Sequence, residues 1–150
     1  MTFLRVFLLS LAANVLAAPK PPAVTFLYSA NVTSGAPTII GSTPLGNRVV
    51  IPIISGEFSG PKLSGKIFSG TIWSLTSPTG INTADAIYVM QTTDGATIMV
   101  TEKAHIPNID IFFETASPKY GWLNNVTAFA SETPTNGVAS INVFAIGSTL

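Results

Sequence analysis

The sequence predicts a single antiparallel, up-and-down β-barrel of about eight strands, all-β apart from one short helical turn near residues 117–124. Three observations predict it. From Val49 to Lys103, strand-like runs follow one another with only turns between them, and none has helical length or period. Within that stretch Asp94-Gly95 separates two apolar runs, the strongest short-range hairpin signal. Gly56, Gly60, Gly65 and Gly70 recur at a density that suits strands coiled sharply enough to turn barrel corners. A two-sheet sandwich is the alternative. No fixed-period repeat runs through the chain.

Taken in order, residues 1–17 read as a secretory signal. Arg5 supplies the basic start, VFLLSLAANVL the apolar core, and Val15-Leu16-Ala17 the small-residue cleavage site. The apolar run is shorter than the roughly 20 residues of a membrane-spanning helix, and no later run is longer, so no transmembrane segment is expected once the leader is removed. Residues 18–23 (APKPPA) form a Pro-rich lead-in, and residues 24–150 the barrel domain. Val24–Ala30 alternates Val24, Phe26 and Tyr28 against Thr25, Leu27 and Ser29 and reads as the first strand. Thr38–Ser42 is a short second strand, and PLGN at 44–47 is a turn. Pro52 inside VVIPII marks a strand edge, start or bulge, because proline has no N–H for the ladder. Ala84–Gln91 and Ala96–Lys103 form the Asp-Gly hairpin, and Ile109–Glu114 is a further strand. SPKYGWLN carries the helical turn, with Ser117 as its cap and Pro118 at its first position. Val126–Ser131 and Val138–Ile146, joined by ETPTNG, close the chain.

Composition narrows the function. Hydrophobic residues make up 47% and charged residues 9%, with Lys+Arg 7 against Asp+Glu 7. Losing the leader removes Arg5 and leaves six basic groups against seven acidic ones. No clustered Lys and Arg are present to grip nucleic acid. With no cysteine, the domain has no disulfide and must rest on its apolar core; thiolate metal ligation and thiol catalysis are excluded. His105 is the one histidine, so no His-rich metal site forms, and neither a metal nor a cofactor is expected. Glu102 is its nearest acidic partner along the chain; otherwise it is an exposed loop histidine. There is no G-x-S-x-G elbow and no phosphate-binding G-x-x-x-x-G-K-[ST]. Asn31 and Asn125 each open an Asn-Val-Thr sequon and are candidate glycosylation sites.

Several motifs, in order and spacing, resemble the uncharacterised family catalogued as domain of unknown function 3237. They are Gly56-x-Phe58-x-Gly60-Pro61-x-Leu63-x-Gly65, Asp85-Ala86-x-Tyr88, Thr93-Asp94-Gly95, Phe113-Glu114-Thr115 and Tyr120-x-Trp122-Leu123-Asn124. The likeness spans roughly Val24 to Ile146. It implies a closed β-barrel and no established activity. The resemblance also implies an acid where Ile72 stands and a base where Ile87 stands, so this chain reads as having exchanged an ion pair for two isoleucines. Such an exchange inside a protein carries little cost.

Candidate chemistry rests on carboxylates and aromatics. Asp85, Ile87 and Val89 share one strand face, Ala86, Tyr88 and Met90 the other. An acid among aliphatic groups suits proton transfer, because burial disfavours its charged form. Asp85, Tyr88 and Glu114 are the candidate acid–base residues. Phe58, Ile72, Trp73, Ile87, Tyr120 and Trp122 are the candidate ligand-lining residues, with Tyr120 and Trp122 placed to plug one mouth. Small barrels either fill with side chains or hold one small ligand. The leading expectation is a secreted barrel that binds a small apolar molecule. The alternatives are an isomerase or cyclase in that pocket, and a non-catalytic extracellular interaction protein with a filled core.

Overall fold

A computed structural model describes residues 19–132 and 138–147; the predicted signal at 1–17 and most of the ETPTNG turn lie outside the described residues. Among the described residues, nine strands form one antiparallel sheet: β1 (Val24–Ser34), β2 (Thr38–Thr43), β3 (Gly46–Ser59), β4 (Ser64–Thr76), β5 (Asn82–Thr92), β6 (Thr97–His105), β7 (Asn108–Glu114), β8 (Thr127–Ser131) and β9 (Val138–Ile146). Neighbours in space are neighbours in sequence from β3 to β9. β9 then pairs with β1, and β1 pairs with the second half of β3, closing an eight-stranded barrel. β2 is the extra strand, hydrogen-bonded to the first half of β3. The barrel expected from the sequence is therefore the fold.

Pro52 sits where β3 changes partners. Val50 pairs with β2 and Ile53 with β1, so on that side no ladder position needs an N–H from residue 52, and its carbonyl accepts from Gly35 N at 2.8 Å. Gly70 lies against the next strand so closely that a Cβ would fall 2.3 Å from that of Tyr88. The glycines of β3 and β4 thus let neighbouring backbones approach at the barrel's corners, as their density predicts.

Two local expectations need correction. The simple alternation of the first strand breaks between Phe26 and Tyr28, where the register with β9 shifts. The irregularity turns Leu27 and Tyr28 both inward and leaves Phe26 exposed. The helical turn is a 3-10 helix over Gly121–Asn125, preceded by Tyr120 and without a side-chain cap, so Ser117 does not cap it. Asn124 holds it down instead, its amide pairing with the backbone of Thr115 at 2.8 and 2.9 Å.

That turn joins the end of β7 to the start of β8, and closes one end of the barrel. Tyr120 and Leu123 are buried there. The Tyr120 hydroxyl donates to the carboxylate of Asp94 at 3.1 and 3.2 Å, and Lys119 Nζ pairs with Asp94 Oδ2 at 2.6 Å. Lys119 and the hydroxyls of Thr92 and Tyr120 hold the Asp94 carboxyl well below the usual range. Beneath the turn, the rings of Phe58 and Phe113 meet Tyr28 edge-on at 5.6 and 6.3 Å. Among the described residues, the opposite end is open.

Candidate functional site

A cavity of about 450 Å³ enters the barrel from that open end, so the interior is not filled. Its size falls in the range of small-molecule sites. Residue size explains the space. Along β5 the inward positions are Asn82, Ala84, Ala86 and Tyr88; Ala86 lies level with Glu102 of β6, and Ala84 with Ala104. Three alanines side by side on adjacent strands leave a gap that Ile53, Ile72, Ile109 and Ile141 border from the other strands. The wall is therefore mainly aliphatic.

Two carboxylates interrupt it. Glu102 Oε1 accepts the hydroxyl of Tyr88 at 2.8 Å. Glu102 borders the open space but is surrounded by protein, and this desolvation pushes its pKa up to about 7; the nearby Glu132 raises it further, while the Tyr88 bond opposes the shift. Glu132, which also borders the cavity, is shifted upward by its own burial. Burial, then the Glu102 charge, pushes the Tyr88 hydroxyl well above its ordinary range, so Tyr88 stays a neutral donor. Beside it the fully buried Tyr28 hydroxyl makes no well-formed hydrogen bond. Serine and amide groups lie nearer the mouth: Ser74 Oγ donates to Asn82 Oδ1 at 3.2 Å. Among the described residues, no group of three or more His, Cys, Asp or Glu is placed to hold a metal ion.

Of the residues singled out from sequence, Tyr88 and Ile72 border this cavity. Phe58 lies in the aromatic core below it, and Tyr120 belongs to the closed end. Trp122, half-buried, packs there with the Lys62 ammonium 5.5 Å from its ring centre. The expected inward placing of Asp85 and Ile87 is corrected. Both point out of the barrel, Ile87 48% exposed, and with the 51%-exposed Trp73 and Lys103 they border a separate outer depression. Glu114 is exposed as well. Ile72 and Ile87 do not face each other: Ile72 pairs across the ladder with Ala86, and Ile87 with Thr71, which puts the isoleucines on opposite sheet faces. His105, exposed at the end of β6, faces away from the inward-pointing Glu102, because three residues along a strand reverses the side.

Glu102, Glu132, Asn82, Ser34 and Ser74 are polar residues bordering the cavity that were not among the candidate site residues read from the sequence. Glu102 had a signal: it continues the face of Ile98 and Val100, both fully buried, and an acid ending an aliphatic face is the more telling carboxylate.

Comparison with known proteins agrees with this architecture. The hydroalkoxylation enzyme phnH of Penicillium herquei is 42% identical over 134 residues, covering 87% of this chain and 89% of that protein. A UPF0311 protein of Clostridium acetobutylicum is 33% identical, covering 73% of this chain and 86% of its own length. Among solved structures, an enzyme from Penicillium herquei superposes with a TM-score of 0.80 at 38% identity, covering 85% of this chain and 96% of that one. A β-barrel-like protein from Acinetobacter baumannii AYE superposes with a TM-score of 0.81 at 26% identity, covering 87% and 99%. Residues 22–109 match the family described as "Protein of unknown function (DUF3237)", and the chain belongs to that family.

Proposed function

We propose that the barrel is an acid–base catalyst that closes a ring in a small, largely apolar molecule, by adding a hydroxyl across a carbon–carbon double bond. The carrying observation is the hydrogen-bonded Tyr88–Glu102 pair, set into the mainly aliphatic wall of the cavity. The 42%-identical relative, a hydroalkoxylation enzyme, supports the same reaction class. Glu102 takes the role that the sequence suggested for Asp85 or Glu114.

With its pKa raised by burial to about 7, Glu102 can both take and return a proton near neutral pH. Its carboxylate removes the proton from the substrate hydroxyl as that oxygen bonds to one alkene carbon. The π pair moves to the other carbon, which takes up a proton, and Glu102 returns to its starting state. The product is an isomer of the substrate, and no oxidant or reductant is consumed. The alkene must be conjugated to a carbonyl or a comparable electron sink, because a group of this acidity cannot protonate an isolated alkene. Tyr88 holds one carboxylate oxygen and leaves the other for substrate.

A chalcone with a hydroxyl ortho to its carbonyl tests the reading, since ring closure erases its long-wavelength absorbance. Wild type should accelerate closure over buffer, and Glu102→Gln should lose on the order of a hundredfold or more of that acceleration while staying folded. No acceleration of any such hydroxy-enone by wild type would reject the proposal.

The compartment we propose is the secretory pathway or the extracellular space, supported by the Arg5 and apolar-run leader. Asn31 and Asn125 are exposed, as glycan acceptors must be. Protein from a eukaryotic secretory host that retains residues 1–17, and whose mass a glycosidase leaves unchanged, would overturn this.

A further inference from the structure

Along β5 the cavity is graded from end to end. Asn82 lies four residues from Ala86, which is level with Glu102, so about 13 Å of strand separates the amide from the carboxylate level. Ala84, Ala86 and Ala104 fill the interval with short apolar side chains. At the outer end Asn82 is held twice: its backbone carbonyl accepts from Ile106 N at 3.1 Å, and its side-chain oxygen accepts from Ser74 Oγ. With the oxygen engaged, the amide nitrogen is the free end. It makes no hydrogen bond to another described residue, although a primary amide offers two donors. No Lys, Arg or His lies among the described residues that border the cavity, whereas Glu102 and Glu132 both do.

We infer that the cavity takes an elongated, uncharged molecule whose inner end is a hydroxyl on Glu102 and whose outer end is a carbonyl or ether oxygen on the Asn82 amide nitrogen, with Asn82 setting that outer specificity. The inner contact rests on the function proposed above; the outer one rests on Asn82 and Ser74 alone. A molecule with an anionic outer end is rejected. It would bring a second or third negative charge into a cavity that holds two carboxylates and no cation to offset it.

Chalcones with a para hydroxyl test this, because they span the cavity and cannot close a ring. Binding of para-hydroxychalcone to the full-length protein is compared with that of its derivatives carrying a methoxy or a carboxylate group para on the other ring. In wild type the methoxy group should tighten binding roughly three- to tenfold, the return on one net hydrogen bond. Asn82→Leu should abolish that gain, with a melting curve showing that the fold survives. Ser74→Ala, which unfastens the amide, should shrink it. The carboxylate derivative should bind weaker than the parent, and Glu132→Gln should recover part of the loss. Equal affinity of wild type for the parent and the methoxy compound, or a gain that persists in Asn82→Leu, overturns the inference and leaves the Glu102 proposal standing. Failure of wild type to bind any of the three overturns the inference, and closure of the ortho-hydroxychalcone then decides the Glu102 proposal separately.

Discussion

Replacing Glu102 with Gln should change how the protein's stability depends on pH, and the size of the change can be worked from its surroundings. Burial raises this carboxyl from 4.5 to about 7 in the folded chain. Each unit of difference between folded and unfolded states corresponds to about 1.4 kcal/mol, so the full span is about 3 kcal/mol as an upper bound. The folded pKa lies above the unfolded one, so between the two values the folded protein binds more protons. Stability must therefore fall as pH rises. The contribution is fully present below about pH 4.5 and is lost as pH climbs through 7. Glutamine keeps the shape and the acceptor for the Tyr88 hydroxyl but cannot titrate. Urea unfolding of both proteins at steps from about pH 4 to pH 8, followed by Trp fluorescence, gives the difference directly, and titrations common to both largely cancel. Wild type should lose stability relative to Glu102→Gln across the range, by up to about 3 kcal/mol and most steeply near pH 6. Stability curves that stay parallel throughout would show that Glu102 is solvated like a surface acid, and the proton-transfer role would lose its basis.

Four further substitutions probe the fold around the site. Gly95→Val should cost about 1–3 kcal/mol, visible as a lower melting temperature. Gly95 has φ of 88° and open space where a Cβ would sit, so the loss is one of backbone conformation; a wild-type melting temperature would contradict it. Ile87→Arg should change stability by no more than about 0.5 kcal/mol, because Ile87 is exposed. Ile72→Asp should destabilise, and combining the two should recover nothing; recovery in a double-mutant cycle would restore the idea of a lost ion pair. Tyr28→Phe should leave stability unchanged or raise it by up to about 1 kcal/mol, since it removes a buried hydroxyl that lacks a well-formed hydrogen bond. A clear loss in chemical denaturation would show that the hydroxyl has a partner.

The strand order, the Asp94-Gly95 hairpin and the corner glycines were legible because they rest on local chemistry. Period-two alternation, a turn that needs φ > 0 and backbones that meet without side chains all leave their mark in short windows. The same windows could sort β5 into two faces, Asp85-Ile87-Val89 and Ala86-Tyr88-Met90, but both sets are largely apolar. Nothing within the strand says which set turns inward. Barrel closure decides that, by setting Ala86 level with Glu102 and Ile72, and it reversed the expected placing of Asp85. In β1 a single irregularity between Phe26 and Tyr28 was enough to invert an otherwise clean alternation. The site was harder still to read, because Tyr88 and Glu102 stand fourteen residues apart and meet only across the β5–β6 ladder. Their chemistry depends on a gap left by alanines on two strands and on the desolvation that eight closed strands impose. Sequence determines which side chains each strand can offer; only the closed sheet decides which of them share one dry interior.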